Sequence, residues 1–146
     1  MQIRFQLDDA CQETEVIIKA NKMSDEINEI MQRLSTTQQR LLAGFDSNSV
    51  ELIDTKKVLR FYSSSQKVYA QTPENTLTVR LRLYELEERL DSTLFVRISN
   101  SEIVNLQAIQ KIDLSFSGTI CITLSGGITT YVSRRYVSKI KKVLGI

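Results

Sequence analysis

Two stretches, Phe95-Val-Arg-Ile-Ser-Asn-Ser-Glu-Ile-Val-Asn-Leu-Gln-Ala-Ile109 and Leu124-Ser-Gly-Gly-Ile-Thr-Thr-Tyr-Val-Ser-Arg-Arg-Tyr-Val-Ser-Lys-Ile140, decide how this chain folds. The first opens as a strand from Phe95 to Ile98 and stops at the polar triplet Ser99-Asn100-Ser101. Glu102 to Leu106 then reads as a short irregular or helical element. The second carries a strong hairpin signal, Ser125-Gly126-Gly127, ahead of a strand from Ile128 to Val132. Ser133 is placed to cap a last helix, with Tyr136, Val137, Ile140 and Leu144 at helical spacing. Between the two stretches, Ile109 to Leu114 and Thr119 to Leu124 are further strands, joined across Phe116-Ser117-Gly118.

Toward the N-terminus the pattern stays β-rich. Leu41 to Phe45, Val50 to Ile53, Val58 to Tyr62, Lys67 to Gln71 and Thr76 to Val79 read as short strands. Asp46 to Ser49 and Thr72 to Asn75 supply turns, and Ser63 to Gln66 a polar hairpin loop. One helix interrupts them. Leu83, Leu86 and Leu90 share a face opposite Glu85, Glu87, Glu88 and Arg89, so the helix packs under the sheets rather than facing an anion. The first forty residues read as a β–β–α unit and linker. Its strands are Gln2 to Leu7 and Glu13 to Ala20, and Asp8-Asp9 is a turn. Its helix runs from Asp25 to Leu34 behind a Ser24 cap, with polar Ser35 to Arg40 as the linker. The expected architecture is mainly β with a few helices (α+β). A unit spanning 1–40, with a dimerisation or regulatory role, precedes a domain spanning 41–146.

The chain has 146 residues, 42% hydrophobic and 25% charged, which suits one ordinary globular domain with a short extra unit. The N-terminus lacks the apolar core of a signal peptide, and no window is apolar enough to span a membrane, so a cytoplasmic protein is expected. There is no histidine, and the two cysteines, Cys11 and Cys121, lie far apart. The commonest metal ligand and general base are therefore missing. No phosphate-binding glycine loop occurs either. No catalytic residue, metal site, cofactor or small-molecule substrate is expected, and both cysteines read as small buried hydrophobes. Charge is split along the chain. Phe95 to Ile146 holds seven basic and two acidic residues, a net +5, and the rest a net −3. That asymmetry suits a polyanion-facing C-terminal half, though ordinary surface variation produces it too.

Several clusters point to a nucleic acid. Arg134 and Arg135 open a helix, where the macrodipole disfavours cations unless an anion docks there. Solvation, or pairing with Glu85 or Glu88, is the plainer account. Asn100 can bond an adenine edge with both amide atoms, and Ser99 and Ser101 suit phosphate oxygens; Ser-Asn-Ser is also ordinary turn composition. Gln66 and Lys67 sit at a hairpin where a β scaffold commonly presents contacts. Lys139 lies on a basic stripe with Lys142, which solvent explains as well as phosphate does.

The two opening stretches together resemble the LytTR DNA-binding domain. They share the Phe-x-Arg strand, the short triplet ending in Ser, the Ile-Val-Asn run, the Gly hairpin and Val-Ser-Arg-Arg-Tyr, with Leu83 to Leu90 matching the family helix. The likeness covers roughly 41–146. It implies an elongated stack of antiparallel sheets whose loops enter successive major grooves of double-stranded DNA. On that likeness Asn100 and Arg135 contact bases, Arg134 lies beside them, and Gln66 or Lys67 fills the first-loop role. Many members have histidine or arginine in the triplet, and the better-known regulators carry a phospho-receiver; Asp8-Asp9 and some forty residues do not make one. The resemblance thus implies a stand-alone transcriptional regulator, homodimeric on paired sites and restrained by a small membrane-protein inhibitor. The alternative is an interaction module that mainly engages that inhibitor and binds DNA weakly.

Overall fold

The structure, a computed structural model, describes the backbone of residues 1–38 and 40–146 and, outside 35–38, their side chains. The chain divides into two units, Met1–Arg33 and Leu34–Ile146.

The first unit departs from the β–β–α expectation. Neither Gln2–Leu7 nor Glu13–Ala20 joins a sheet, and no residue in 1–34 is buried. Asp8 does make the expected turn, accepting the Ala10 amide on its carboxylate at 2.9 Å and the Cys11 amide on its carbonyl at 3.1 Å. Cys11 is exposed, not the buried hydrophobe expected of it, whereas Cys121 is buried. Helix α1 (Asp25–Gln38) starts where Ser24 Oγ accepts the Ile27 amide at 3.3 Å, with Asp25 and Glu26 in its first turn. It runs past Leu34 through Ser35–Gln38, so most of the expected linker is helix; Gln39 lies outside the described residues.

After α1, the described residues of the second unit form ten antiparallel strands and two further α-helices. Strands β1 (Leu41–Phe45), β2 (Val50–Asp54), β3 (Arg60–Ser64), β4 (Lys67–Gln71) and β5 (Thr76–Val79) precede helix α2 (Leu83–Arg89). Strands β6 (Phe95–Ser99), β7 (Glu102–Asn105), β8 (Ile109–Asp113), β9 (Ile120–Leu124) and β10 (Ile128–Val132) follow, then helix α3 (Val137–Leu144). Seven strands form one sheet in the order β2-β1-β5-β4-β3-β7-β6, and three form another in the order β10-β9-β8.

Two apolar cores hold this unit. The first gathers Leu42, Ile53, Phe61, Leu77 and Ile103 under Leu83 and Leu86 of α2 and Leu90 just after it, the packing role expected of that helix. The second gathers Val96, Ile98 and Val104 with Ile120, Ile122, Leu124, Val132 and Ile140. Successive residues of β6 and β7 therefore feed opposite cores: Phe95 and Ile103 the first, Val96 and Val104 the second. This explains why Glu102–Asn105 is a strand and not the irregular or helical element expected. With all four residues buried, it lacks the alternation that marks a half-exposed strand.

The polar members of β7 are satisfied internally, as burial requires. Asn105 Nδ2 donates to the Val58 carbonyl at 2.9 Å and its Oδ1 accepts the Gln107 amide at 2.9 Å. Glu102 Oε1 pairs with Arg60 at 2.9 Å, and Glu102 Oε2 accepts from the Thr130 hydroxyl on β10, so one carboxylate ties the two sheets together.

Candidate nucleic-acid interface

The interface is assembled from the ends of strands. Pairing of β3 with β7 sets Tyr62 opposite Glu102, and the Ser63 amide continues the ladder by donating to the Ser101 carbonyl at 2.9 Å. The β3–β4 hairpin is thereby tied to the β6–β7 turn. On the other side the Ser133 amide donates to the Ile98 carbonyl at 2.9 Å. That bond brings the start of the terminal helix to the residue before Ser99. Three loops separated in sequence thus meet around one turn.

Each loop has its own cause. Register pairs Ser64 with Lys67, leaving Ser65 and Gln66 as a two-residue hairpin with φ of 51° and 65°. Both lie in the left-handed region that side chains rarely occupy, so this tip is held against a local cost. In the second loop β6 shifts register between Arg97 and Ser99 before its last pair, Ser99 with Glu102, and Ser99 Oγ accepts the Ser101 amide at 3.2 Å. Ser99 thus uses its hydroxyl oxygen as an acceptor within its own turn. In the third, Ser133 makes no side-chain cap, contrary to expectation. Arg134–Tyr136 form a 3-10 turn before α3 begins, so the arginines sit on a tighter lead-in, not on the first turn of a regular helix.

Every expected contact residue is accessible. Asn100, Ser101, Gln66, Lys67, Arg134, Arg135 and Lys139 are exposed, and Ser99 is half-buried. Asn100 and Arg135 are brought together through Tyr136. Its hydroxyl donates to Asn100 Oδ1 at 3.4 Å, and the Arg135 guanidinium lies 5.9 Å from its ring centroid. Neither Arg134 nor Arg135 pairs with an acid among the described residues. Arg134 runs alongside Gly118, where an added Cβ would come within 3.1 Å of its Nε. Lys139 is less free, with its Nζ 3.6 Å from Glu87.

Two residues were not singled out from sequence. Tyr136 reads as a core position at helical spacing, and only its place in Arg-Arg-Tyr hints at more. Arg97 reads as one donor in a polar run, yet its guanidinium is turned inward (its side chain is 12% exposed) onto the Ser99 and Asn100 carbonyls.

Among the described residues, no group of His, Cys, Asp and Glu side chains could hold a metal ion. No helix there is long and apolar enough to cross a membrane.

Stacked antiparallel sheets with a rim of amide, hydroxyl and guanidinium groups define the class, a mainly β DNA-binding module of transcription regulators. Residues 48–145 match the LytTr DNA-binding domain family, and the chain belongs to that family. An uncharacterized HTH-type transcriptional regulator of Staphylococcus aureus strain NCTC 8325 / PS 47 is 36% identical over 135 residues, covering 92% of this chain and 91% of the relative. A similarly named protein of Staphylococcus aureus strain MRSA252 is 35% identical over the same length. The LytTr DNA-binding domain of a Bacillus cereus protein described as a methyl-accepting/DNA response regulator superposes with a TM-score of 0.71 at 26% identity, covering 73% of this chain and 98% of that one. The chain is a DNA-binding transcription regulator with the LytTR fold. The helix-turn-helix in the relatives' names has no counterpart among the described residues of this unit, where five strands separate α2 from α3.

Proposed function

We propose that this regulator reads DNA in a sequence-specific way by inserting its three converging loops into successive major grooves of paired sites. The observation that carries this is the pair of backbone bonds, Ser63 to Ser101 and Ser133 to Ile98, that lock the loops around Asn100. Asn100 bonds an adenine edge with both amide atoms, and Arg135 bonds a guanine. Arg134, Gln66 and Lys67 hold the flanking backbone with Ser99 and Ser101, and Lys139 contributes what its pairing with Glu87 leaves. The protein works in the cytoplasm as a homodimer, one protomer per half-site, with residues 1–40 supplying the dimer contact or a regulatory one.

Arg135→Ala tests the reading by anisotropy titration against a duplex selected from a random pool and a scrambled one. The selected duplex should lose about 1–3 kcal/mol and discrimination at one base pair should relax. With roughly four to six phosphates neutralised per protomer, log K should fall against log salt with a slope of about −4 to −5. Unchanged binding to both duplexes, or a flat salt response, overturns the docking mode.

A second reading, engagement of a small membrane-bound inhibitor with DNA binding secondary, draws on the unburied apolar residues of 1–34. It predicts that deleting them leaves DNA affinity intact and abolishes restraint in cells.

A further inference from the structure

Arg97 spends its guanidinium inside the protein. Its Nε donates to the Ser99 carbonyl at 2.7 Å, its Nη2 to the Asn100 carbonyl at 2.7 Å, and its Nη1 to Glu87 Oε2 at 2.8 Å. Glu87 stands on α2, which is anchored in the first core by Leu83, Leu86 and Leu90. A continuous line therefore runs from a packed helix, through one carboxylate and one planar cation, to the two carbonyls that shape the Asn100 turn. A guanidinium suits this task because its fork is rigid, whereas an ammonium is a single point on a flexible stem. From the other side the Tyr136 hydroxyl reaches Asn100 Oδ1. Asn100 is exposed, in the short turn that follows the last β6–β7 pair, Ser99 with Glu102, and without these partners its amide would sample many directions. Recognition of a base edge by both amide atoms tolerates little misplacement.

We infer that Arg97, anchored by Glu87, is a specificity-determining positioning residue. It holds the Ser99–Asn100 turn in the conformation that presents the amide to a base, and Tyr136 fixes which way that amide faces. This rests on the base-reading role proposed above for Asn100. Arg97 touches no DNA in this scheme, so its loss acts only through Asn100.

The experiment compares Arg97→Lys, Tyr136→Phe and Asn100→Ala, singly and combined, on a duplex selected by the wild type and on a scrambled one. Arg97→Lys should weaken the selected duplex about 10-fold and the scrambled duplex less than about 2-fold, since the charge is kept. Tyr136→Phe should cost about 3-fold on the selected duplex alone. In the Asn100→Ala background neither should have a further effect. Equal losses on both duplexes, or losses that persist without the Asn100 side chain, overturn the inference. Should Arg97→Lys lose its near-UV circular dichroism, Tyr136→Phe, which removes one hydroxyl, decides by the same criteria. If Asn100→Ala itself leaves discrimination unchanged, the base-reading role falls, and 15N relaxation of the free protein then judges Arg97 separately. Order parameters at residues 99–101 should drop from about 0.85 to below about 0.6 in Arg97→Lys. Values that stay near the rigid limit overturn the positioning role.

Discussion

Ile3, Phe5 and Leu7 alternate with polar residues as regularly as any strand in the chain, yet they are 78%, 95% and 98% exposed and join no sheet. Glu102-Ile103-Val104-Asn105 shows no alternation and is a strand buried on both faces. Alternation specifies a face; it does not supply a ladder or an opposing layer. Residues 103 and 104 have both, because two cores meet across β7, and residues 3–7 have neither.

The largest expected effect tests that contrast directly. Leu124 is fully buried in the second core, so Leu124→Ala should cost about 2–5 kcal/mol in urea denaturation. Phe5→Ala should fall within about 0.5 kcal/mol of wild type. A cost above about 1 kcal/mol at Phe5, growing with protein concentration, would break the contrast by showing that a second copy covers the segment.

Next in size is the polar content of β7. Asn105→Ala leaves the buried Val58 carbonyl and the part-buried Gln107 amide without their side-chain partner, and should cost about 1–3 kcal/mol. Gln6→Ala, on the exposed segment, should cost nothing measurable. Near-neutral behaviour at Asn105 in the same urea titration would mean that water replaces the amide, and that β7 is less sealed than its packing implies.

The same contrast accounts for what could be read beforehand. The half-exposed strands and the α2 face were legible, because each has one wet and one dry side that a period of two or 3.6 records. The β7 strand was not, since burial on both faces erases the period. The N-terminal strands were misread because the alternation of residues 2–7 and the apolar run Val16-Ile17-Ile18 are present and a partner strand is not. At the site, Asn100, Arg134 and Arg135 were legible as exposed polar residues at element ends. The inward turn of Arg97 was not, since it depends on Glu87, ten residues away on another element. The Ser133 cap failed because the chain enters a 3-10 turn, in which the Tyr136 amide bonds the Ser133 carbonyl and not its hydroxyl.

The smallest effect concerns two surface ion pairs. Glu29 and Arg33 pair within one helix at 2.7 Å, with side chains 64% and 78% exposed. Arg40 and Asp54 pair across fourteen residues, through two bonds of 2.9 and 2.7 Å, beside the β1–β2 edge. The hydrogen-bonded Arg40 guanidinium holds the Asp54 carboxyl below its ordinary value; burial opposes this, and the Lys56 amide adds a smaller lowering. A carboxyl lowered in the folded state binds fewer protons there than when unfolded. Its stabilisation is therefore complete above the unfolded value, about 3.9, and is lost as pH falls through the folded one. Asp54→Asn should lower the melting temperature slightly and by a constant amount from about pH 7 to 5, with the gap closing below about pH 4. Glu29→Gln should leave it nearly unchanged throughout, because an ion pair this exposed is worth little. Thermal melts across that range decide. A gap at Asp54 that persists at the acid end would trace its effect to packing of the β1–β2 edge rather than to charge, and the contrast would then rest on burial alone.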